Sequence, residues 1–449
     1  MRHVSFRSTQ TQRSMCVLTT TALMAVDKST SSDFQQQHWS SSYDPRKPNA
    51  PTLPTKGQIR AIVPNECFTR SYALALSYLT RDTAMSIGCV YIAYNALSTE
   101  LPSSSSSLSS VLVWLIGWTT YAFCMGCTIT GHWVIAHECG HGAFTPNQSL
   151  NDICGFLMHQ ALLVPYFSWQ YTHAKHHRRT NNTMDGESHV PGTRTEVGLD
   201  EYGLTRISNW AVIHEAIGDG PFGALKILAN LILGWPLYLL GVVSTGRLGH
   251  DGVELGNGDA ADHYRPWSKM FPTKLRFKVI LSTLGIVFAW IVIGVAMYKF
   301  GILPVTLWYI GPLMWNQAWL VLYTWLQHTD PSVPHYGIDE FTWMRGALST
   351  IDRPYGVVLD FFHHNIGSTH VAHHLFSEMP FYKADIATAA IKSYLGPLGL
   401  YNYDPTPWYL AMWRIAKQCH YIDGLGGIQY FKSFGDVPIM RYVGGKKLD

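Results

Sequence analysis

The sequence predicts an all-α membrane protein with four transmembrane helices in two hairpins, interfacial helices and a cytosolic cap that carries histidine clusters. Three observations lead to this prediction. Only 14% of the 449 residues are charged, whereas about 25% are charged in ordinary soluble proteins. Several apolar stretches are long enough to cross a lipid bilayer. Finally, many of the 21 histidines are clustered at the polar ends of those stretches.

Charge and cysteine content exclude two other classes of protein. The net charge is only +3, and no long run of lysine and arginine is present that would follow a nucleic-acid backbone. The eight cysteines have no regular spacing, and Cys124 and Cys127 lie within an apolar stretch. We therefore expect buried free thiols in a reducing compartment, with neither a disulfide framework nor nucleic-acid binding.

The two ends of the chain are predicted to flank one membrane domain. Residues 1–26 contain arginines, serines and threonines but no acidic residue, as in an organelle transit peptide, and residues 27–58 are polar and rich in proline. We predict a disordered segment over residues 1–58, the membrane domain over 59–433 and a tail over 434–449. The tail contains Lys446-Lys447-Leu448-Asp449, which fits a dilysine retrieval signal of the endoplasmic reticulum, so the two ends indicate different compartments.

The transmembrane helices are predicted from hydropathy and length. Residues 108–131 are uncharged and, at about 1.5 Å per residue, are long enough for a hydrocarbon core of roughly 30 Å. The four predicted crossings are residues 84–101, 108–131, 279–297 and 302–326. Two more apolar stretches, residues 150–166 and 223–244, would also be able to span by composition alone.

Three histidine clusters predict a metal centre. They are His137-Glu138-Cys139-Gly140-His141, His173-Ala174-Lys175-His176-His177 and His370-Val371-Ala372-His373-His374. On a helix, residues three or four apart lie on the same face, so each cluster presents its imidazoles together. Eight histidines exceed the ligands of one ion, and imidazole binds iron, copper, zinc and nickel. The spacing therefore predicts two metal ions.

A shared metal centre constrains the membrane topology. Clusters that bind the same ions must lie on one side of the bilayer, so an even number of crossings must separate them. Residues 150–166 and 223–244 are for this reason predicted to be interfacial. His328 follows the fourth crossing on the same side and is a ninth candidate ligand. His363 and His364 are candidates for orienting the ligands from outside.

Two readings of another class remain open at this point. The first cluster matches H-E-x-x-H, the zinc protease motif, with Glu138 as the base. That reading leaves the histidines of the other two clusters without a role. A membrane metal transporter or receptor would also be rich in histidine, but its histidines would lie within the crossings or in a loop.

The chemistry of the predicted site favours iron as the metal and a lipid as the substrate. A histidine-rich pair of ions suits iron that activates dioxygen, and a site beside a membrane favours a lipid substrate. The motifs HECGH, HAKHH and HVAHH, with the downstream text HVAHHLFSEMPFY, resemble the histidine boxes of membrane-bound acyl-lipid fatty acid desaturases. They are most similar to the microsomal Δ12 (ω-6, oleate) group, which also contains ω-3 members. The resemblance covers roughly residues 58–433.

This resemblance implies an activity, a cofactor and partners. The expected reaction introduces a cis double bond into a lipid-bound fatty acyl chain, most simply oleate to linoleate, with two non-haem iron ions, dioxygen, and electrons from cytochrome b5 and its reductase. An ω-3 desaturase and a fatty acyl hydroxylase or epoxygenase are the alternatives within the family. The implied iron ligands are His137, His141, His173, His176, His177, His328, His370, His373 and His374.

The electron donor and the compartment also follow from the resemblance. The chain has no His-Pro-Gly-Gly haem motif, so the donor is expected to be a separate protein. Lys175, Arg178 and Arg179 are candidates for contacting its acidic face. Because the boxes resemble the microsomal group, the endoplasmic reticulum membrane is expected in preference to a plastid membrane.

Overall fold

The fold is almost entirely helical. A computed structural model describes residues 43–197, 210–242, 246–256, 259, 261–434, 442–443 and 446–447, all within one compact unit, Trp39–Asp449. The predicted transit segment, residues 1–26, and most of the segment predicted to be disordered lie outside the described residues. So does most of the predicted tail.

The described helices run along the whole membrane domain. They are α1 (Lys56–Ile62), α2 (Tyr72–Ala96), α3 (Leu108–Gly140), α4 (Gln148–Ala161), α5 (Tyr166–Arg179), α6 (Trp210–Ile217), α7 (Asp219–Leu239), α8 (Arg276–Phe300), α9 (Ile302–Val305), α10 (Gly311–His328), α11 (Trp343–Ala347), α12 (Val357–Phe362), α13 (His370–Leu375), α14 (Ala384–Leu395) and α15 (Trp408–Gln418). Among the described residues, strands are confined to two antiparallel pairs. They join β1 (His335–Tyr336) to β2 (Ile428–Gln429) and β3 (Tyr442–Val443) to β4 (Lys446–Lys447).

Residues 43–58 correct the prediction of a disordered segment. Tyr43 and Leu53 pack against the apolar core that surrounds α14. Thr55 and Gln58 form a reciprocal cap at the start of α1, in which the Gln58 N–H donates to Thr55 Oγ1 over 3.2 Å and the Thr55 N–H donates to Gln58 Oε1 over 2.8 Å. The proline-rich composition predicted disorder here, but the cap and the burial of these apolar side chains hold the backbone in one conformation.

Three helices are long and apolar enough to cross a membrane. They are α3, α7 and the segment Thr273–Phe300, which comprises α8 and the turn before it. By the same measure α2 and α10 do not qualify, whereas α7, predicted to be interfacial, does. The length and composition of these helices thus indicate a membrane protein. They do not by themselves identify the four predicted crossings.

Two predicted crossings have different bounds in the structure. The stretch predicted at residues 84–101 is α2, which begins much earlier because the Ser71 side chain accepts a hydrogen bond from the Leu74 N–H and caps its first turn. The stretch at residues 302–326 is divided into α9, a π-helical turn at Thr306–Ile310 and α10.

The third histidine cluster lies on α13, which has only six residues and is held from outside. Asp352 Oδ1 accepts a hydrogen bond from the Val371 N–H over 2.8 Å, and Asp352 also accepts one from the Tyr401 hydroxyl. The adjacent Arg353 is fully buried and pairs with Asp330 and Asp404 at 3.1 and 3.0 Å. These contacts, together with the apolar core around Val371, Ala372 and Leu375, fix α13 against the rest of the protein.

Candidate metal centre

Four helices deliver the predicted ligands to one place. The last turn of α3 carries His137, and His141 is its C-terminal cap. The second cluster lies on α5, His328 is the last residue of α10, and the third cluster lies on α13. The structure therefore brings together all nine histidines that the sequence singled out, at the ends of the helices.

Five of the nine form the first group. Their potential ligand nitrogens all lie within 4.8 Å of one another. The His137 Nε2 atom is 2.8 Å from His173 Nε2 and 3.2 Å from His141 Nε2, and His177 Nε2 is 3.1 Å from His173 Nε2. The members of this group are His137, His141, His173, His177 and His373.

The other four form a second group beside the first. His176, His328 and His374 have ligand nitrogens within 4.8 Å of one another. The His328 Nε2 atom is 3.1 Å from His176 Nε2 and 3.0 Å from His370 Nε2. The rings of His177 and His374 are stacked with centroids 4.1 Å apart, so the two groups adjoin. The second and third clusters contribute to both groups, because neighbouring positions on a helix point in different directions.

The spacing of the nitrogens fits metal coordination. Two imidazole nitrogens that each lie about 2.1 Å from one ion at right angles are about 3 Å apart, which matches the measured separations. The Nε2 atoms of His373 and His374 are buried without a hydrogen-bond partner in the described part of the chain. Buried polar atoms rarely lack a partner, and these two nitrogens are free to coordinate an ion at each group.

Burial keeps the imidazoles in the form that binds metals. Desolvation is the main cause that lowers the pKa of His141, His173 and His177 well below 6.5, and neighbouring histidines lower it further. Burial likewise lowers the pKa of His176 to about 3. The imidazoles are therefore neutral at physiological pH, and their nitrogen lone pairs are free to coordinate.

Other polar side chains orient the ligands by hydrogen bonds to their Nδ1 atoms. Glu138 Oε1 accepts from His137 Nδ1 over 3.1 Å, while Glu138 Oε2 accepts from the Phe381 N–H over 3.0 Å. Ser188 Oγ is 2.8 Å from His176 Nδ1, and Thr180 Oγ1 is 3.2 Å from His374 Nδ1. Each contact leaves Nε2 directed at the centre. Sequence reasoning missed Ser188 and Thr180, which belong to no motif.

Glu138 does not act here as the base of a zinc protease. Its two oxygens are occupied by His137 and the Phe381 backbone. The two histidines of H-E-x-x-H share their group with three more histidines from other helices. Because the ligands lie at helix ends in two compact groups, the transporter or receptor reading also lacks support.

Two predicted roles are corrected by the contacts. The Nδ1 atom of His363 is 2.8 Å from the Tyr323 hydroxyl, and His364 Nε2 is 2.8 Å from Asp82 Oδ2. These rings therefore fix α2, α10 and α12 to one another instead of orienting the predicted ligands. Proximity in sequence to His370 was misleading because the chain turns sharply between them, with His364 at φ +55°.

Two of the three basic residues that are candidates for contacting the electron donor pair with an acidic residue of this chain. Lys175 pairs with Asp185 at 3.2 Å and donates to the Leu248 carbonyl, and its side chain is only 13% exposed. Arg179 pairs with Asp185 at 2.8 Å. Arg178 is exposed and makes no ion pair with a described residue, so it alone of the three is available to a partner.

A cavity of about 440 Å³ reaches the first group of histidines. Its wall includes His173, Trp133 and Trp169 at one end and apolar residues of α7 and α10 along its length. The Trp169 ring is stacked on His173 with centroids 4.4 Å apart. No sequence pattern predicts this cavity, because its wall combines residues that are distant along the chain. A largely apolar cavity beside a candidate metal centre is suited to an acyl chain.

Known proteins with similar sequences are fatty acyl enzymes. The fatty acid desaturase family profile matches residues 112–405, more than half of the chain. The chain is 40% identical to the Delta(12)-fatty-acid desaturase of Arabidopsis thaliana, over 82% of this chain and 87% of the relative. It is 39% identical to the oleoyl-12-hydroxylase of Ricinus communis, over 85% and 90%. It is 38% identical to the omega-6 fatty acid desaturase, endoplasmic reticulum, of Brassica juncea, over 82% and 88%.

Histidine clusters in a largely helical membrane protein and these similarities lead to one conclusion. The chain belongs to the fatty acid desaturase family and is an oxidoreductase that acts on fatty acyl chains.

Proposed function

We propose that this protein is a Δ12 desaturase that converts lipid-bound oleate to linoleate in the endoplasmic reticulum membrane. The observation that carries the proposal is the division of nine histidines into groups of five and four beside a largely apolar cavity. The Δ12 position and the compartment are supported by the names of the relatives from Arabidopsis thaliana and Brassica juncea.

Two iron ions are the proposed cofactor, with the first group and the second group each holding one. When bound, they would supply the activation of dioxygen and the oxidising power that removes hydrogen from an unactivated methylene. The overall reaction removes two hydrogens from adjacent carbons, consumes dioxygen, two electrons and two protons, and releases two waters.

The side chains of this protein prepare the site for that chemistry. Glu138, Ser188 and Thr180 fix ring orientations through Nδ1 and so preorganise the ligands. Trp133 and Trp169 line the cavity beside the ligand ring of His173 and present flat apolar faces to the acyl chain. An apolar wall also excludes water from the reacting carbons.

The proposed topology has two hairpins, α2 with α3 and α8 with α9 and α10, and places α7 at the interface. Contacts at the two ends of α7 support this placement. Near its start, Lys226 Nζ donates to the Cys419 carbonyl, which follows α15. At its end, the Leu239 carbonyl accepts from the His263 N–H over 2.9 Å. Because both ends lie beside polar segments around the metal centre, α7 lies across the cap end of the bundle.

The proposed electron donor is cytochrome b5, reduced by its reductase. Arg178 directly follows the ligand candidate His177 on α5 and is exposed. It is therefore the position where an acidic donor surface would lie nearest the metal centre.

Expression in yeast, which supplies oleate and the electron donors, tests the proposal. Gas chromatography is expected to detect linoleate with the wild-type protein and none with His176→Ala. His250→Ala, which changes an exposed histidine outside both groups, is the matched control and should retain activity. Metal analysis of the purified protein should give about two irons per chain. Zinc in place of iron, or linoleate from the His176→Ala protein, would contradict the assignment.

Hydroxylation is the second candidate because one relative is an oleoyl-12-hydroxylase at 39% identity. The same metal centre and cavity would serve both outcomes. The chromatogram separates them, since a hydroxy acid in place of linoleate would identify the hydroxylase.

A further inference from the structure

The cavity beside the metal centre has two chemically different ends. Trp133, Trp169 and His173 form one end. Lys226 and His420 form part of the wall elsewhere, together with Asn230, which lies one turn after Lys226 on the same face of α7. Leu233 and Leu237 line α7 further along. An amphiphilic occupant would match this arrangement, with its chain near the histidines and its polar part near Lys226.

The contacts of Lys226 leave one hydrogen-bond donor unused. Its ammonium group has three N–H donors. One donates to the Cys419 carbonyl and a second to His420 Nδ1, over 3.2 Å in the latter case. No carboxylate of the described residues pairs with Lys226. Since the side chain lines the cavity, the remaining donor and the positive charge are available to an occupant that carries an oxygen acceptor.

His420 is placed to hold Lys226 in this position. Its Nε2–H donates to the Lys417 carbonyl over 2.9 Å, which leaves Nδ1 as an acceptor for the lysine. The ring is stacked on Phe434 with centroids 4.4 Å apart. Burial lowers the pKa of His420 to about 3, so the ring is neutral and does not repel the ammonium group. His420 is thus a positioning residue, and Lys226 makes the contact.

The length of α7 between the two ends matches an acyl chain. Trp235, whose ring lies 6.2 Å from that of Trp133, marks the histidine end. Trp235 lies nine positions after Lys226, which corresponds to about 13.5 Å along the helix at 1.5 Å per residue. A fully extended polypeptide advances about 3.6 Å per residue of three bonds, or about 1.2 Å per bond, so about 13.5 Å corresponds to about 11 bonds of an acyl chain. Eleven bonds separate an acyl carbonyl carbon from carbon 12.

We propose that Lys226 binds an oxygen of the polar head of the glycerolipid substrate while the acyl chain extends along α7 to the metal centre. The inference rests on the proposed desaturase function and adds a substrate-binding residue to it. A single charged donor in a cavity with apolar walls contributes to affinity in the ground state and the transition state alike, so its removal acts mainly on the half-saturating lipid concentration.

The test uses yeast microsomes that contain the full-length protein, with NADH as reductant and dioleoylphosphatidylcholine in mixed micelles as the probe. Lys226→Met is expected to raise the half-saturating lipid concentration about tenfold or more, with a much smaller change in maximal rate. Lys226→Arg keeps a donor and a charge and should stay within about threefold of wild type. Lys278→Met is the matched control, since Lys278 lies outside the cavity and pairs with Asp152 at 3.8 Å on the surface.

The controls separate this inference from folding and from the proposed function. Equal half-saturation for the wild-type, Lys226→Met and Lys278→Met proteins overturns the role of Lys226. A loss of maximal rate in both Lys226→Met and Lys226→Arg at unchanged half-saturation overturns it as well. If the wild-type protein itself forms no linoleate, the proposed function fails instead. Dioleoylglycerol, which lacks phosphate, distinguishes the acceptor: an effect with both lipids identifies the ester carbonyl, and one confined to the phospholipid identifies the phosphate.

Discussion

Helices α3 and α13 present histidines in the same H-x-x-x-H spacing but are supported in opposite ways. Helix α3 has 33 residues, about 50 Å in length, so its own backbone hydrogen bonds fix the last turn that bears His137. Helix α13 has six residues and would not be stable alone. Its position depends on Asp352, the buried ion pairs next to it and the surrounding core. The candidate ligands at the end of α3 are thus positioned by local structure, and those on α13 by tertiary contacts.

The largest expected effect comes from removing one candidate ligand on each helix. His141→Ala, at the end of α3, and His370→Ala, at the start of α13, should each reduce desaturation in yeast to below about one hundredth of wild type, because each metal group would lose a ligand. The measurement is linoleate content together with iron content per chain. Normal iron and activity in either variant would remove that histidine from the ligand set.

Removal of the contacts that hold α13 in place is expected to have the next largest effect. Asp352→Ala leaves the Val371 N–H and the Tyr401 hydroxyl without their acceptor, at a cost of about 1–3 kcal/mol for each buried group. We expect a lower melting temperature and a partial loss of iron from both groups, because α13 carries candidate ligands of each. Asp423→Ala, at an exposed site paired with Lys432, is the control and should behave as wild type. Unchanged iron content in Asp352→Ala would mean that the core alone holds α13.

A smaller effect is expected for Glu138 on α3, because the helix holds His137 in place even without it. Glu138→Gln retains an oxygen acceptor for His137 Nδ1, whereas Glu138→Ala removes it. We expect activity to fall about 10- to 100-fold in Glu138→Ala and less in Glu138→Gln. Comparison of turnover at equal iron content is the measurement. Equal losses in the two variants would indicate that the charge, not the hydrogen bond to His137, is what matters.

The smallest predicted effect is the pH dependence of the metal-free protein. The pKa of His176 is about 3 in the folded protein, and those of His173 and His177 are also far below 6.5. The unfolded chain therefore binds more protons as the pH falls below 6.5, and the free energy of unfolding must fall with it. The melting temperature of chelator-treated protein in detergent should decrease from pH 7.5 to 5.5. A melting temperature that rises over this range would contradict buried neutral imidazoles.

The difference between the two helices also explains which features were predictable. The H-x-x-x-H and H-x-x-H-H spacings identify candidate ligands because a helix brings such residues to one face. Residues 84–101 were misplaced because a serine cap and not hydropathy sets the start of α2. His363 and His364 were misassigned because distance along the chain does not report the direction in which the backbone turns. The ion pairs of Lys175 were not predictable because its acidic partners lie beyond the end of its helix.

The sequence by itself determined that the chain is a largely helical membrane protein, which nine histidines are candidate ligands, and the family, since composition, helical periodicity and motif spacing are local properties of the chain. Only the tertiary structure decided how the histidines divide into two groups, which hydroxyl and carboxylate groups orient them, and that a cavity with Lys226 in its wall adjoins them. Several of these features arise from contacts between residues more than a hundred positions apart, such as that of Thr180 with His374. Such contacts depend on the packing of whole helices, which no local pattern encodes.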